Sequence, residues 1–305
     1  LKEQSDFTKL YEAGLSRAIG DWLLGMNATR LYTLRYGRNR QVLSIGRVQT
    51  PTLALIVQRQ KEIDSFVPEP YWVLATVYRD TTFTATKGRY NSKEEGEKDF
   101  SLIEGKPFII TGVQKKQGRE PAKQLYDLTS LQVDCNRKFG YSAEMTLNLI
   151  QGLYEKKLTT YPRVDTQYLS DDIYPKCPGI LNGVSQMTVS GQKVYLPLIK
   201  DLAAISRTLP KSKRVFDTSK VTDHHAIIPT SEFVKQGFTG LAESECKLMN
   251  LVCSKLLCAV AAPHEYETVT AVFSCAGNEF TAKGKTVLVP GWKEIDQRFR
   301  SNLKA

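Results

Sequence analysis

Two strand-rich stretches that flank a long helical stretch constrain the fold of this chain more than any other feature. Residues 66–118 and 264–292 are rich in β-branched and aromatic residues, which favour strands. Residues 119–263 instead carry apolar residues at helical spacing. Because strands that flank an insertion commonly share a sheet, one sheet interrupted by a helical domain is the most economical topology. The sequence therefore predicts an α+β chain that runs out along an arm and returns.

Residues 1–65 are predicted to be helical. Apolar residues between positions 15 and 26 keep the three- and four-residue spacing of a buried helix face. Arg17, Asn27 and Arg30 fall off or beside that face. The face that we expect to be buried consists of Leu15, Ala18, Ile19, Trp22, Leu23 and Met26.

A further helix is expected to begin near Pro51, because proline is tolerated in the first turn of a helix. Ser44, Arg47, Gln49 and Thr50 then lie at or just before its N-terminus. Backbone amides, hydroxyl groups and an arginine at such a position suit a phosphate group. The local pattern alone favours the simpler alternative, a capped helix without a ligand.

Cap and turn signals define the helices expected after the first strands. Lys115–Arg119 is interpreted as a polar linker into this part of the chain. Thr129 and Gln132 fit a capping box that starts a helix, Gly140 is expected to end it, and Ser142 to cap the next helix. Two helices joined by so short a turn predict a helix-turn-helix.

Charge and composition favour a polyanionic partner. The formal net charge is +10 and the pI about 9.2, and basic residues recur along the chain, including a predicted basic loop at 206–214, which suits a folded nucleic-acid-binding surface. No apolar run is long enough for a membrane span, and no signal-peptide pattern is present. The six cysteines form no CxxC pair, so we expect reduced core thiols of a cytosolic protein and no zinc site.

The stretch Thr159-Thr160-Tyr161-Pro162-Arg163 is the first candidate for chemistry. Proline disfavours the helical conformation at the preceding residue, so Tyr161 is expected in an extended segment. Side chains two residues apart share a face of an extended chain, which lets Tyr161 and Arg163 converge on one anion. A free phenol, with a pKa near ~10, is a poor nucleophile, but a cation that holds a phosphate beside it activates the attack. Taken alone, the tripeptide Tyr161-Pro162-Arg163 favours the alternative that the tyrosine only packs or forms a turn.

The adjacent histidines His224 and His225 form the second candidate. Neighbouring residues of a regular element cannot both face one site. The surroundings give no metal spacing, since Asp223 offers a single carboxylate. A histidine that donates to a phosphate, or orients the phenol near neutral pH, is the better functional interpretation.

Four stretches occur in one order across nearly the whole chain. Leu15–Thr33 contains SRAIGDWLLGMNATR, Ser44–Leu53 reads SIGRVQTPTL, Leu125–Leu169 contains LYE and then TTYPRVDTQYL, and Asp223–Thr230 reads DHHAIIPT. Each alone is a weak to moderate signal. Together they resemble the type IA DNA topoisomerases, most closely bacterial topoisomerase III.

The resemblance implies roles for individual residues. Tyr161 corresponds to the nucleophile that attacks single-stranded DNA and takes the 5′ phosphate, leaving a free 3′ hydroxyl. Arg163 matches the arginine that positions the scissile phosphate, and His224 matches a histidine that contacts it. Glu155 and Asp165 match acidic positions that organise the site. The DNA-binding residues that the resemblance implies are Arg17, Asn27, Arg30, Ser44, Arg47, Gln49, Thr50, Glu155 and Asp165.

The resemblance also implies an α+β multidomain fold. Residues 1–65 would be part of a helical DNA-binding gate domain. Residues 66–118 and 264–292 would form an antiparallel, β-rich hinge domain, interrupted by a mainly helical domain at 119–263 that bears the catalytic tyrosine. Residues 293–305 would start the return to the gate domain.

The chain departs from the family pattern at its start, because no toprim domain with its lysine, glutamate and acidic Mg²⁺ cluster precedes Ser5. We therefore expect a fragment without relaxation activity of its own. Mg²⁺ and its ligands would belong to the full-length enzyme, with no metal in the fragment and no need for ATP. The expected partners are single-stranded DNA and, in the full-length context, a helicase. A monomer in the bacterial cytoplasm, associated with the nucleoid and not with a membrane, is expected.

Two other classes of protein compete with this interpretation. A non-catalytic nucleic-acid-binding protein with a helix-turn-helix would explain the basic charge without an active site. A tyrosine recombinase would place several catalytic arginines and histidines around the tyrosine and would form a 3′ linkage. That order of residues is not evident in the sequence.

Overall fold

The chain is divided into two units in its computed structural model, Leu1–Trp72 and Val73–Ala305. The first contains helices α1 (Thr8–Tyr36) and α2 (Gln49–Asp64), which confirms the predicted helical character of residues 1–65. Pro51 lies in the first turn of α2, as expected. The structure describes residues 3–39, 41–186, 188–189, 192–193, 209 and 211–302.

The predicted apolar face of α1 is exposed, so the expectation of a buried face is wrong. The exposed fractions of Leu15, Ile19 and Trp22 are 46%, 48% and 63%, and no described residue of α1 or α2 is buried. The loop that joins the two helices contacts α1 through polar groups, since the hydroxyls of Thr29 and Thr33 accept from backbone amides of that loop. A unit of this size offers too little apolar surface to cover the stripe.

A five-stranded sheet unites the two strand-rich stretches, which confirms the predicted interrupted sheet. Neighbouring strands from the two stretches pair antiparallel. The spatial order of the strands is β1 (Trp72–Tyr78), β2 (Thr81–Tyr90), β7 (Asn278–Val289), β6 (His264–Cys275) and β3 (Ile109–Glu120).

The predicted polar linker Lys115–Arg119 is wrong, because these residues belong to β3 and pair with β6. Lys115 Nζ lies 3.3 Å from a carboxylate oxygen of Glu267, and Arg119 Nε lies 3.3 Å from one of Glu265. Opposite charges across neighbouring strands support pairing. The partners are about 150 residues away in sequence, so the local composition could not reveal them.

Helix α3 (Lys93–Ile103), which the sequence did not suggest, packs beside β2 on one side of the sheet. The hydroxyl of Ser92 caps it by accepting from the Glu95 amide. Lys87 of β2 donates to Asp99 of α3 at 2.9 Å. The side chains buried on this side of the sheet include Phe83, Ala85, Phe280 and Ala282.

Helices α4 (Leu128–Phe139) and α5 (Ala143–Glu155) form the predicted pair joined by a short turn. Gly140 ends α4 at a φ of 72°, and Ser142 caps α5 by accepting from the Met145 amide at 3.0 Å. Both cap predictions are confirmed.

The capping box expected at Thr129 is wrong, because α4 begins at Leu128. Asp127 is the N-cap, and its carboxylate accepts from the Ser130 amide at 2.7 Å. A carboxylate is at least as good an N-cap as a threonine hydroxyl, and it occurs two residues earlier.

A core centred on one helix anchors the segment that follows α5. This helix spans Glu243–Val260, and side chains along most of its length are buried. Leu153 and Leu158, at either side of the α5 end, are fully buried in the same core. The further elements are α6 (Cys177–Gln186), β4 (Thr188–Val189), β5 (Gln192–Lys193), α7 (Ser231–Gln236), α8 (Glu243–Val260) and α9 (Trp292–Asn302).

The six cysteines are free, as expected of reduced core thiols. Burial raises the pKa of the Cys135 and Cys177 thiols to about 12. Four residues of the basic loop predicted at 206–214, namely 206–208 and 210, lie outside the described residues. The boundaries proposed between hinge and helical domains remain predictions.

Candidate functional site

A short antiparallel pairing holds the tyrosine stretch, residues 158–161, against the histidine stretch, residues 224–230. Thr159 forms a bridge with Pro229, and the Thr160 amide donates to the Ile228 carbonyl at 3.0 Å. Tyr161 follows directly, outside any helix, which confirms the expectation that the residue before this proline does not lie in a helix.

The Thr160 hydroxyl strengthens this pairing. Its Oγ1 accepts from the Ile228 amide at 3.0 Å and lies 3.2 Å from the Ala226 carbonyl, to which it donates. Ala226 and Ile228 are buried. The Thr160 side chain thus joins the residue before Tyr161 to the segment that follows the histidines.

Burial alternates along the residues after Tyr161. Pro162, Val164 and Thr166 are buried, whereas Arg163 and Asp165 are exposed and Tyr161 is half-buried. This alternation is typical of an extended segment with one face on the core. It leaves Arg163 and Asp165 on the outer side of the segment.

The Tyr161 ring lies between two other rings. Its centroid is 4.5 Å from the His224 imidazole, with 43° between the ring planes. On another side the Tyr154 ring meets it at 5.4 Å and 78°, an edge-to-face contact. The structure therefore brings together the tyrosine and one of the two adjacent histidines.

The other histidine has a different environment. His225 is half-buried, its Nδ1 lies 2.8 Å from the Ala226 carbonyl oxygen, and burial lowers its pKa. It lines a separate cleft of about 550 Å³ beside Ile228 and Val234. The opposite placement of neighbouring side chains thus selects His224 as the partner of Tyr161.

The charged residues around the tyrosine differ in how they are held. Within the described part of the chain, the Arg163 guanidinium has no hydrogen bond or ion pair with protein, so it is free to meet a ligand. Asp165 accepts from the Thr222 hydroxyl at 3.3 Å, and Glu155 accepts from Gln151 Nε2 at 3.0 Å.

Residues of the first unit form a second, separate group at the start of α2. Arg47 Nε donates to Asp21 at 2.7 Å, and this hydrogen bond lowers the pKa of the Asp21 carboxyl. Gln49 Nε2 donates to the Ser44 hydroxyl at 2.8 Å. The Thr50 hydroxyl accepts from the amide of Gly46 at 3.0 Å, so several predicted DNA-binding residues contact one another here.

The other predicted DNA-binding residues of the first unit lie on α1. Arg17 Nε is 3.8 Å from a carboxylate oxygen of Asp21, Asn27 Nδ2 donates to the Leu23 carbonyl at 2.8 Å, and Arg30 is exposed. The side-chain amide of Asn27 thus donates to a carbonyl of its own helix, whereas the side chain of Arg30 is exposed to solvent.

Sequence reasoning missed three features of the site. The Tyr154 contact follows from α5 ending just before the tyrosine stretch, and the LYE pattern could have suggested it. The Thr160 hydrogen bonds depend on a pairing with residues almost 70 positions away. Lys220 Nζ donates to the Tyr168 hydroxyl at 3.1 Å and lowers the Tyr168 pKa, a contact between distant residues that no local signal marked.

The described residues include no group of three or more His, Cys, Asp or Glu side chains that could hold a metal ion. Among the described helices, none combines the length and apolar character needed to cross a membrane.

Comparisons with known proteins give a consistent result. A family model described as DNA topoisomerase matches residues 5–304. DNA topoisomerase 3 of Bacillus licheniformis is 39% identical over 302 residues, which cover 97% of this chain and 40% of that protein. DNA topoisomerase 3 of Bacillus subtilis is 37% identical over 301 residues, with the same coverage of both chains. The chain thus spans about 40% of the length of these curated relatives.

A solved structure shares the fold. Full-length topoisomerase I from Thermotoga maritima superposes with a TM-score of 0.67 at 22% sequence identity. The match covers 93% of this chain and 45% of that one. At this identity the likeness concerns the fold alone.

Proposed function

The chain belongs to the type IA DNA topoisomerase family, and we propose that, as part of a longer enzyme, its Tyr161 cleaves and rejoins single-stranded DNA during strand passage. The placement of the Tyr161 ring against His224, with the unpaired Arg163 two residues on, carries the proposal. The rival of a non-catalytic DNA-binding protein is not favoured, because the relatives that match nearly the whole chain are topoisomerases.

The proposed reaction is a transesterification. The Tyr161 oxygen bonds to phosphorus and loses its proton, the bond from phosphorus to the 3′ oxygen breaks, and that oxygen leaves as a 3′ hydroxyl after taking up a proton. The 5′ phosphate stays on the tyrosine. Because one phosphodiester replaces another, the reverse attack by the 3′ hydroxyl reseals the strand without ATP.

The nearby residues would act on the phosphate and on the tyrosine. Arg163 would hold the scissile phosphate through charge-assisted hydrogen bonds, and His224 would donate to it beside the phenol. Asp165 and Glu155 would organise the surroundings. The basic and polar residues of the first unit would hold the single strand, namely Arg17, Asn27, Arg30, Ser44, Arg47, Gln49 and Thr50.

Other parts of the proposal concern the longer enzyme. Mg²⁺ would be bound there by ligands outside this chain, and the chain alone would be inactive in relaxation. A helicase partner, a monomeric state and a location in the bacterial cytoplasm with the nucleoid are proposed on the family resemblance. We also propose the gate, hinge and tyrosine-bearing domains with the boundaries given above.

The polarity of the covalent bond tests the proposed function. Full-length enzyme is mixed with single-stranded DNA labelled at either its 5′ or its 3′ end and then denatured. We expect protein-linked DNA that retains the 3′ label and a released piece that carries the 5′ label and a free 3′ hydroxyl. A protein bond to the 3′ phosphate would instead support a tyrosine recombinase and exclude the proposed reaction.

Replacing Arg163 by lysine should weaken cleavage more than binding. Arginine offers a planar pair of donors to a phosphate, whereas lysine offers a point charge. We expect Arg163→Lys to slow cleavage by about 10- to 100-fold and to change the Kd for single-stranded DNA by less than about threefold. Arg59→Lys, in an exposed ion pair with Glu62, is the matched control. Equal losses of cleavage and binding would contradict a role for Arg163 at the scissile phosphate.

A further inference from the structure

The two faces of the sheet differ in their side chains. Directly opposed residues of antiparallel strands point to the same face. Across β3, β6 and β7, Lys116 is opposed to Thr268 and Thr268 to Lys285. The next row on this face has Gln114, Thr270 and Lys283 in register. We call these six residues the lysine face; they are Gln114, Lys116, Thr268, Thr270, Lys283 and Lys285.

The lysine face lies opposite the side of the sheet on which α3 packs. Ala85 and Phe280, which are buried on the α3 side, are opposed in register, whereas Thr84 and Thr281 form the neighbouring pair that points the other way. Lys283 and Lys285 continue the Thr281 row along β7 in steps of two residues. Their side chains and that of Lys116 are exposed.

Cations on the two faces differ in their partners. On the α3 side, Lys87 pairs with Asp99 and Glu95, Lys115 with Glu267, and Arg119 with Glu265. On the lysine face, no described carboxylate lies within ion-pairing distance of Lys116, Lys283 or Lys285. These three cations are thus paired with carboxylates, whereas the three lysines of the lysine face are not.

The carboxylates nearest to the lysine face form no ion pair with its lysines. Glu120, beyond Lys116 on β3, accepts from Lys293, and that hydrogen bond, together with the weaker effect of the Lys285 charge, lowers the Glu120 pKa. Glu279 lies four residues before Lys283 on β7, at a distance of about 14 Å along the strand. The centre of the face therefore combines three lysines that form no ion pair with a described carboxylate and the hydroxyls of two threonines; the Lys285 ammonium lies over the Tyr266 ring.

The spacing of these cations suits a polyanion. Strands lie about 4.8 Å apart and residues i and i+2 about 6.8 Å apart, which separates the three lysine Cα atoms by about 7 to 12 Å. That range is close to the Debye length of about 8 Å at physiological salt, so the charges act together on one backbone. A DNA duplex presents one charge per about 1.7 Å of its axis and can meet all three.

The aromatic content of the face favours a duplex over a single strand. Proteins that bind single strands commonly stack bases on exposed aromatic rings. The six residues of the face include no aromatic ring; Tyr266, the next residue of the same row on β6, has its ring against Gly118 of β3, and Lys285 Nζ lies over it at 3.6 Å from the centroid. No ring among the described residues of the face is open to a base, so contacts would be made with phosphates.

We propose that the lysine face binds the phosphate backbone of a DNA duplex, separately from the strand held at Tyr161. Lys116 and Lys285 would contact phosphates on either side of Thr268, and Lys283 would contact one along β7. The hydroxyls of Thr268 and Thr270 would donate to phosphate oxygens between them. Because the contacts are electrostatic, binding would be independent of base sequence and sensitive to salt.

Duplex binding by this 305-residue chain tests the proposal. The variant carries Lys116→Gln, Lys283→Gln and Lys285→Gln, and fluorescence anisotropy with a labelled duplex oligonucleotide gives Kd at several salt concentrations. Each lost phosphate contact lowers the slope of log K against log salt by about 0.9, so we expect a loss of about 2.7. At the lowest salt concentration, duplex binding should weaken by at least about tenfold.

The matched control removes the same charge from the other face. Lys87→Gln, Lys115→Gln and Arg119→Gln together should leave the salt slope within about 0.5 of the parent value, because their charges are already paired. Circular dichroism checks that both variants fold. An equal loss in the control would show an effect of net charge alone and would overturn the proposal, as would a parent chain that does not bind the duplex.

A third arm separates this surface from the tyrosine site. A single-stranded oligonucleotide of the same length should show a loss of slope below about 1 in the lysine-face variant. An equal loss with single and double strands would overturn the assignment to a duplex. Tyr161→Phe should leave duplex binding unchanged, so failure of the proposed cleavage chemistry and failure of this surface are distinguished.

Discussion

Replacement of Tyr161 by phenylalanine is expected to abolish the covalent protein–DNA adduct in the full-length enzyme. The change removes the phenolic oxygen, which would form the bond to phosphorus, and keeps the ring. The ring contacts with His224 at 4.5 Å and with Tyr154 at 5.4 Å remain available, so we expect the fold to be retained. Loss of a nucleophile commonly costs more than about 10³-fold, and adduct trapped by denaturant should fall to background.

A neighbouring tyrosine provides the matched control for this result. Tyr154 contacts Tyr161 edge to face, and its side chain is 37% exposed. Tyr154→Phe also removes one hydroxyl from the ring pair, but we expect it to keep the adduct within about threefold of the parent, since edge-to-face packing depends on the ring and not on the hydroxyl. An adduct that persists in Tyr161→Phe and disappears in Tyr154→Phe would show that Tyr161 is not the nucleophile and that Tyr154 is.

Local signals predicted those parts of the fold that local interactions determine. Gly140 and Ser142 were identified as caps because a left-handed glycine and a hydroxyl N-cap act within a few residues. The position of Tyr161 outside any helix followed from the ring of the next proline. The strand-rich flanks shared one sheet, as the order of elements required.

Interactions between distant residues account for the failures. Lys115–Arg119 has the composition of a linker, yet the carboxylates of Glu265 and Glu267 across the sheet stabilise it as a strand. The apolar stripe around Leu15 and Trp22 has the period of a buried face, but periodicity does not reveal whether a partner surface is present. In each case the missing information was the identity of the neighbour in space.

In the candidate site too, local signals predicted some features and interactions between distant residues determined the others. Tyr161 and Arg163 could be singled out from five consecutive residues, whereas the choice between His224 and His225 needed the pairing of residues 158–160 with 226–230. That pairing places His224 against the tyrosine, whereas His225 lines a separate cleft. The hydrogen bonds of Thr160, which hold the pairing together, had no signal in the sequence at all.

Replacement of Thr160 by valine is therefore expected to destabilise the chain and to impair the site. Valine matches the shape of threonine but leaves the buried Ile228 amide without its acceptor, and it removes a donor to the Ala226 carbonyl. An unsatisfied buried backbone group costs about 1–3 kcal/mol. We expect the free energy of unfolding, measured by urea denaturation followed by circular dichroism, to fall by about 2 kcal/mol. Adduct formation by the full-length enzyme should fall with it, because the tyrosine and histidine stretches are less firmly held.

A substitution at the preceding residue, Thr159, provides a matched control for this prediction. Thr159 is equally a threonine in the same pairing and is 2% exposed, but its hydroxyl oxygen is buried without a hydrogen-bond partner. Thr159→Val exchanges an unsatisfied hydroxyl for a methyl group, so stability should stay within about 0.5 kcal/mol of the parent or rise. The two isosteric changes at adjacent positions thus differ by about 2 kcal/mol if hydrogen bonding by Thr160 joins the two stretches. Equal effects of the two substitutions would show that packing alone joins them, and the role given to the Thr160 hydroxyl would be wrong.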